Sequence, residues 1–348
     1  MLDGRLANPD CTLGSDPRSD PRMVAALAPY GLDRRLPPPP VTPESPLADR
    51  LAYVAAMEEG LGGVLDALAA AAPVPDGVTT ETVTYEDVTL HISRPSSSSS
   101  SKLPCVVHLH GGGMAFLSTA HTGYVRWRDN LAAAGLVVVG VEFRNSAGKL
   151  GPNPYPAGVD DCAAGIRWTA AHLDDLGASH IVVSGESGGG NLTLTVGHKA
   201  KREGWLNEIA GFYAQCPYIS NRYLEQPDEL PSLKENDGYI FDCRVMAVIG
   251  SVYDPDGESA GDPACWAGNA TEADLAGMPP HVISVNELDP LRDEGLLYYR
   301  RLVRAGVPAV GRVVAGTCHA GELMAAGAMP DVYGASLRDV TGFAKSLG

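Results

Sequence analysis

The chain of 348 residues lacks any run of eighteen apolar residues, the length that a membrane-spanning helix needs. Residues 1–20 also lack the apolar segment of a secretory signal peptide. Basic residues are in the minority, since 26 Lys and Arg face 42 Asp and Glu and leave a net charge of −16. This deficit argues against nucleic acid and anionic membranes as partners. The seven cysteines are scattered and odd in number, which indicates reduced thiols in a cytoplasmic protein.

Apolar strands alternate with helical segments from residue 103 to the end of the chain. The strands predicted at Cys105–Leu109, Val137–Phe143 and Ile181–Ser184 carry no polar alternation, so both faces of each should be buried. Strands of this kind occur in parallel sheets that helices cover on both sides. Before them, Val78–Tyr85 and Val88–Ser93 alternate like paired antiparallel strands. The sequence therefore predicts an α/β fold with a mostly parallel central sheet.

Two segments depart from this alternation. Residues 1–50 are rich in proline, aspartate and arginine, and only a short helix near Met23–Leu27 is expected there. Residues 219–270 are aromatic, acidic and proline-rich, and they interrupt the α/β pattern. We expect both segments to form a cap over the strand ends, on a catalytic domain of residues 51–348. Spaced apolar residues over Leu47–Ala72 predict a helix that is interrupted near Gly60–Gly63.

The most informative motif is Gly185-Glu186-Ser187-Gly188-Gly189, which follows a β-branched strand and opens a helix. In this context G-x-S-x-G is typical of a sharp turn that presents a serine nucleophile at the edge of a sheet. Glycines flank the serine because a Cβ at those places would collide with the neighbouring elements. The alternative is a plain glycine-rich turn between a strand and a helix.

A second glycine-rich loop, His110-Gly111-Gly112-Gly113, follows the strand Cys105–Leu109. Glycines at this place let backbone N–H groups face a cavity, where they can stabilise an oxyanion together with the N–H of Gly188. A phosphate-binding loop is the competing interpretation, but the spacing and the lysine of a P-loop are missing. His108 and His110 could form a metal-binding pair, although no third ligand with a matching pattern is evident.

Position along the strands selects one of the nine histidines as the general base. Catalytic groups of an open α/β sheet lie at the carboxyl ends of its strands. His319 follows the apolar run Val310–Ala315 and is therefore at that edge, whereas His121 follows the glycine loop and could line a pocket. The remaining candidates precede strands, lie within a strand, or fall in helices where solvated faces are expected: His180, His281, His91, His172 and His198.

The acid that orients this histidine should follow another strand. Glu287, Asp289 and Asp293 all come shortly after the predicted strand Val282–Val285. Asp289 precedes Pro290, whose fixed φ suits a turn that leaves the strand, while Asp293 is better placed to begin a helix. We therefore choose Asp289. The chain order Ser187, Asp289, His319 is the order expected of α/β-hydrolases.

Several motifs in this order resemble the hormone-sensitive-lipase family of α/β-hydrolases over roughly residue 83 to the end of the chain. They are HGGGM at 110–114, EFRNSAG at 142–148, NPYPAGVDDC at 153–162, GESGGGNL at 185–192, ELPSLKENDGY at 229–239 and NELDPLRDEG at 286–295. The chain departs from the family where Glu186 and Gly188 replace the more usual Asp and Ala around the serine. Ala320 and Gly321 likewise replace the Gly and aromatic residue that usually follow the histidine.

The resemblance implies a serine carboxylesterase that acts through an acyl-enzyme on small to medium acyl or lactone esters. It assigns the nucleophile to Ser187, the acid to Asp289 and the base to His319. The implied oxyanion donors are the N–H groups of three glycines: Gly111, Gly112 and Gly188. It further implies a cap, a homodimer in many members, a small-molecule ester as substrate, and neither a cofactor nor a metal.

Aromatic residues near these motifs are candidates for the substrate pocket. Phe116, Tyr124 and Tyr218 are the main ones, and Trp127, Tyr213 and Trp266 are further candidates. Two other functions stay open on the same fold. One is a ligand-binding protein without turnover, which the presence of His319 disfavours. The other is an amidase or peptidase with the same triad.

Overall fold

The computed structural model describes residues 4–5, 8–97 and 101–348. At its centre lies one eight-stranded sheet. Its strands are β1 (Val78–Tyr85), β2 (Val88–Pro95), β3 (Leu103–Leu109), β4 (Val137–Glu142), β5 (Ala178–Glu186), β6 (Gly211–Gln215), β7 (His281–Asn286) and β8 (Ala309–Val314). Their order across the sheet is β1-β2-β4-β3-β5-β6-β7-β8. Only the β1–β2 and β2–β4 pairs are antiparallel, so the predicted α/β fold with a mostly parallel sheet is confirmed.

Helices connect and cover these strands. They are α1 (Pro21–Leu27), α2 (Leu47–Ala69), α3 (Thr122–Ala133), α4 (Ala157–Ala171), α5 (Leu173–Leu176), α6 (Gly188–Glu203), α7 (Ser232–Glu235), α8 (Cys243–Tyr253), α9 (Glu272–Leu275), α10 (Arg292–Arg304), α11 (Gly321–Met324) and α12 (Pro330–Ser346). Within the described ranges, no helix combines the length and the apolar character needed to cross a membrane.

Adjacent valines of the central strands point to opposite faces of the sheet and pack against different helices. On one face, Val106 and Val138 pack with Leu131 of α3 and Val340 of α12. On the other face, Val107 belongs to the cluster that contains residues of α4 and α6. Burial of both faces explains why these strands are uniformly apolar in the sequence.

Helix α2 runs without a break from Leu47 to Ala69, so the predicted interruption near Gly60–Gly63 is wrong. One face of α2 is buried against the rest of the protein through residues such as Val54, and this packing outweighs the low helix propensity of glycine. The helix also crosses the predicted boundary at residue 50, which therefore does not separate two structural units. Arg50 itself donates to the carbonyl oxygen of Ser251 in α8 at 2.7 Å.

The N-terminal segment packs against residues of the 219–270 segment. The hydroxyl of Tyr239 donates to Asp16 at 2.8 Å, and Arg18 forms ion pairs with Asp16 and Glu235. These contacts hold Asp16 and Arg18 beside Glu235 of α7 and Tyr239. One expectation on histidine positions also fails, because His198 is buried rather than solvated and its burial lowers its pKa to about 4.

Candidate active site

Ser187 lies at the sharp turn between β5 and α6. Its backbone has φ 56° and ψ −119°, a conformation that residues other than glycine rarely adopt. A Cβ at Gly185 would lie 2.4 Å from the carbonyl oxygen of Leu109, and a Cβ at Gly189 would lie 1.9 Å from the same atom. Glycine is therefore required on both sides of the serine, and the motif forms the strand–turn–helix unit that its sequence predicts.

The three residues chosen from the sequence as a triad lie within hydrogen-bonding distance of one another. His319 Nε2 is 2.8 Å from Ser187 Oγ, and His319 Nδ1 is 2.7 Å from Asp289 Oδ2. Asp289 follows β7 and His319 follows β8, so both come from the carboxyl ends of parallel strands. Asp289 is fully buried, and its other oxygen accepts the N–H of Leu291 at 2.9 Å. This arrangement lets the imidazole accept a proton from the serine while the carboxylate holds its Nδ1–H.

A buried polar network, which the sequence did not indicate, joins the loops that carry Asp289 and His319. Asn286 Nδ2 donates to Thr317 Oγ1 at 2.7 Å and to Glu322 Oε2 at 2.5 Å. Burial raises the pKa of Glu322. The available signals were a polar residue at the end of an apolar strand and an acid three residues after His319. The network fixes the spacing of the two loops and hence that of the acid and the base.

The glycine loop after β3 packs directly against the serine turn. A Cβ at Gly111 would lie 3.5 Å from the Cβ of Ser187, and a Cβ at Gly188 would lie 2.6 Å from the backbone nitrogen of Gly113. Gly112 and Gly113 have positive φ angles of 100° and 60°. Among the residues that the structure describes, the N–H groups of Gly112, Gly113 and Gly188 donate no hydrogen bond. These three N–H groups are therefore free to receive an anion.

The prediction that Gly111 is an oxyanion donor is wrong, because its N–H donates to Glu186 Oε1 at 2.8 Å. The other carboxylate oxygen of Glu186 lies 3.0 Å from His108 Nε2. Glu186 is thus a buried support between the serine turn and the loop. The free N–H of the third glycine of the motif, Gly113, was not expected from the sequence.

The buried ring of His110 also contacts the glycine loop and helps to hold it in place. Its Nδ1 lies 2.7 Å from the carbonyl oxygen of Gly111, and its ring stacks on Phe143 with 4.2 Å between the centroids. Burial alone would raise the pKa of Glu142, but hydrogen bonds from His110 and Thr119 lower it to about 2. His108 and His110 therefore contact different carboxylates, an arrangement that fits two supporting side chains better than a pair of metal ligands.

A mostly apolar cavity of about 1130 Å³, counting space that is open to solvent, adjoins Ser187 and His319. The three main pocket candidates, Phe116, Tyr124 and Tyr218, all line it, as do Trp127 and His121. The expectation fails for the other two aromatic residues. Tyr213 of β6 packs against Phe343 of α12, away from the cavity. Trp266 packs edge-on against Tyr218 and Tyr253 and does not line the cavity.

A family profile described as "alpha/beta hydrolase fold" matches residues 106–322. Among solved structures, the chain is similar to brefeldin A esterase, described as a bacterial homologue of human hormone-sensitive lipase. The two are 43% identical, with a TM-score of 0.94 and coverage of 99% of this chain and 98% of that chain. The chain belongs to the α/β-hydrolase fold family. The resemblance to its hormone-sensitive-lipase branch is thereby confirmed.

Other relatives of this α/β-hydrolase are also named as esterases. Esterase Est22 is 38% identical with a TM-score of 0.84, covering 96% of this chain and 99% of that chain. Esterase LipI of Mycobacterium tuberculosis is 34% identical over 62% of this chain and 64% of its own length. Carboxylesterase NlhH of the same species is 36% identical over 59% of this chain and 62% of its own length. The chain thus spans about three-fifths of the curated relatives that it matches.

In the described part of this α/β-hydrolase, one group of side chains lies close enough together to share a metal ion. It consists of Cys216, Asp289 and His319, whose ligand atoms lie within 4.8 Å of one another. Both nitrogens of His319 already face Ser187 and Asp289, and burial raises the pKa of the Cys216 thiol well above its ordinary value. A metal would have to ionise this thiol and displace a hydrogen bond of the triad, so the donor set does not fit one.

Proposed function

We propose that this α/β-hydrolase is a serine carboxylesterase that hydrolyses small to medium acyl or lactone esters through an acyl-enzyme. The observation that carries the proposal is the continuous row from Ser187 Oγ through His319 to Asp289, with distances of 2.8 and 2.7 Å. A row of this geometry activates a hydroxyl that would otherwise be a weak nucleophile. The names of the relatives, brefeldin A esterase, Est22, LipI and NlhH, support the same activity.

The reaction begins when Ser187 Oγ attacks the ester carbonyl and His319 Nε2 takes its proton. Asp289 keeps the proton of the imidazole on Nδ1 and stabilises the imidazolium that forms. His319 then protonates the leaving alcohol. Water repeats the cycle on the acyl-enzyme, with His319 as its base, and releases the acid.

The oxyanion of the tetrahedral intermediate is held by the N–H groups of Gly112, Gly113 and Gly188. None of them has another acceptor among the described residues, and Gly188 begins α6, whose N-terminus favours negative charge. Glu186 keeps Gly111 out of this set and fixes the loop beside the serine.

We expect residues 219–270 and α2 to form the cap of this site, since no described residue of 1–50 lines the cavity. Leu61 and Leu65 of α2, together with Met246 and Ile249 of α8, line the cavity over Ser187. The bond from Arg50 to Ser251 joins these two helices. Apolar walls of this kind exclude water and accept the hydrocarbon part of an ester.

Hydrolysis of p-nitrophenyl butyrate tests the proposal. Wild-type protein should turn the ester over, and Ser187→Ala should lower kcat by about a million-fold. Asp289→Asn should lower kcat by roughly ten-thousandfold, because it leaves the imidazole in the wrong tautomer. Ser184→Ala, in the same strand as the turn, is the matched control and should retain activity because its hydroxyl has no hydrogen-bond partner among the described residues.

The two open alternatives give different results. A ligand-binding protein would show no turnover by the wild type and no change in Ser187→Ala. An amidase would hydrolyse p-nitroanilides at least as well as the matching esters. Size-exclusion chromatography tests the homodimer, which stays a prediction, as does the cytoplasmic location.

A further inference from the structure

One wall of the cavity is built by α2, α3, α11 and α12. Leu65 and Ala69 of α2, Leu323 and Met324 beside α3, and other apolar side chains cover most of it. Arg126, Trp127 and Tyr333 are among the polar side chains that interrupt this wall. Trp127 and Tyr333 lie edge to face, with 5.3 Å between their ring centroids, so the two rings are neighbours in this wall. We call these three residues the donor cluster.

Hydrogen-bond donors of the cluster lack acceptors within the described residues. Trp127 Nε1, Tyr333 OH and Arg126 Nε are all buried without a partner. Trp127 is 2% exposed and Tyr333 is 4% exposed, so both groups are shielded from bulk solvent. A buried donor without an acceptor destabilises a protein, and an apolar residue of similar shape would avoid this cost.

Arg126, which is partly buried, adds a positive charge to these hydrogen-bond donors. None of the ion pairs found among the described residues includes Arg126, although the chain as a whole carries 42 acidic residues. Every member of the cluster can donate a hydrogen bond, and the group that is missing is an acceptor. A ligand that enters the cavity can supply an acceptor to Trp127 Nε1 and Tyr333 OH, which have none among the described residues.

The donor cluster lies at some distance from the place where the ester carbonyl reacts. Tyr124 lies on α3 close to the glycine loop, since a Cβ at Gly111 would be 3.0 Å from its hydroxyl. Trp127 follows one turn later on the same helix, which advances it along the helix axis by roughly 4.5 Å. A ligand atom at the cluster is therefore several bonds away from the ester carbon.

We propose that the donor cluster is a specificity subsite that binds an oxygen acceptor carried by the ester substrate several bonds from its scissile carbonyl. The acceptor is an ether, hydroxyl or carbonyl oxygen, or a carboxylate. The proposal rests on the esterase function proposed above and narrows its substrates to oxygenated esters. Trp127 and Tyr333 bind the acceptor, and Arg126 adds affinity when the acceptor is charged.

A matched series of esters tests this subsite. The parent is p-nitrophenyl hexanoate, and each isostere replaces the methylene at carbon 3, 4 or 5 with an ether oxygen. A further member ends in a carboxylate. The same replacements in hexyl butyrate test whether the alcohol part occupies the subsite. For each ester, the ratio is its kcat/KM divided by the kcat/KM of the all-carbon parent. Dividing the wild-type ratio by the ratio of a variant then cancels the intrinsic reactivity of the ester.

We expect one position of the ether oxygen to give a wild-type ratio that falls about three- to tenfold in Trp127→Phe and in Tyr333→Phe. Arg126→Gln should lower the ratio for the carboxylate ester and leave the ether esters unchanged. Trp168→Phe and Tyr299→Phe, which replace residues outside the cavity lining, are the matched controls and should leave all ratios as in wild type. Two independent variants keep the test valid if one of them does not fold.

A binding measurement separates the subsite from catalysis. With Ser187→Ala, the favoured oxygenated ester should change the tryptophan fluorescence at lower concentration than its parent. Tyr333→Phe in that background keeps all four tryptophans and should abolish the difference. Equal ratios in wild type, Trp127→Phe and Tyr333→Phe at every oxygen position would overturn the subsite while leaving the esterase intact. Absence of hydrolysis for all the esters would instead overturn the proposed function.

Discussion

Glu186 Oε1 accepts the backbone N–H of Gly111 at 2.8 Å and thereby ties the residue before the serine to the first glycine of the loop. The second carboxylate oxygen faces His108 Nε2 at 3.0 Å. Both partners are buried, so the carboxylate bridges two segments that are far apart in sequence. This contact determines which glycine N–H groups stay free to bind an oxyanion.

Glu186→Ala should lower kcat about tenfold or more and change KM little, because the loop that carries Gly112 and Gly113 loses its anchor. Removal of the carboxylate leaves a buried N–H and a ring nitrogen without partners, which also lowers the free energy of unfolding by roughly 1–3 kcal/mol. Glu186→Gln keeps an acceptor for the N–H of Gly111, so its kcat and its free energy of unfolding should fall less than those of Glu186→Ala. Steady-state kinetics and urea unfolding measure both effects, with exposed Glu59→Ala as the control. An unchanged kcat in Glu186→Ala would show that the anchor is dispensable.

Gly188→Ala should lower kcat by about a hundredfold, the loss expected for one displaced oxyanion donor. The new Cβ would lie 2.5 Å from the nitrogen of Met114 and 2.6 Å from that of Gly113, so the loop has to move away. This expectation is specific to the present chain, because alanine is usual at this position in the hormone-sensitive-lipase family. Single-turnover kinetics with p-nitrophenyl butyrate would reveal the loss in the acylation step. Acylation at the wild-type rate would mean that the loop relaxes without harm.

Buried Glu294 should make stability depend on pH. Burial raises its pKa to about 8, although Ser220 and the N–H of Ile219 donate to it. In the unfolded chain its pKa is roughly 4.3, so between these values the folded state holds the extra proton. The free energy of unfolding therefore falls as pH rises from about 4.5 to about 8, by at most about 1.4 kcal/mol per pH unit from this group.

Glu294→Gln removes this contribution. Urea unfolding at pH 5, 6, 7 and 8 should show that stability falls less steeply with pH in Glu294→Gln than in wild type. Glu59→Gln, at an exposed position, controls for the change in net charge. Parallel curves for wild type and Glu294→Gln would contradict a raised pKa at this residue.

Gly63→Ala should raise the free energy of unfolding by about 0.5–1 kcal/mol, because the glycine lies within an unbroken helix and a Cβ there meets no atom within 4 Å. Its neighbour provides a matched comparison. A Cβ at Gly62 would lie 3.1 Å from the ring of His121, so Gly62→Ala should gain less or lose stability. Thermal and urea unfolding of both variants test the difference. A loss of stability in Gly63→Ala would indicate that α2 needs flexibility there.

Local sequence was sufficient to predict the serine turn, because a G-x-S-x-G motif between a strand and a helix indicates it. The atom that excludes a Cβ at Gly185 and Gly189, however, belongs to the distant Leu109. Asp289 and His319 were predictable for a different reason. Parallel strands bring their carboxyl ends to one edge of a sheet, so a residue's place after a strand indicates where it lies.

Contacts between distant residues could not be read in this way. The sequence did not indicate that Glu186 accepts the N–H of Gly111, that Tyr298 of α10 contacts His198, or that Asn286 and Glu322 join two loops. The prediction of a break in α2 was also wrong, because burial against the rest of the protein outweighs the low helix propensity of glycine.

The mostly parallel α/β fold, the serine turn and the choice of Ser187, Asp289 and His319 as candidates follow from the sequence by itself. Each depends on periodicity, on a short motif or on the place of a residue after a strand. Only the tertiary structure decided which N–H groups are free, which aromatic residues face the cavity and where donors lack acceptors. Those properties depend on contacts between side chains that are far apart in sequence, and short-range sequence patterns do not predict such contacts.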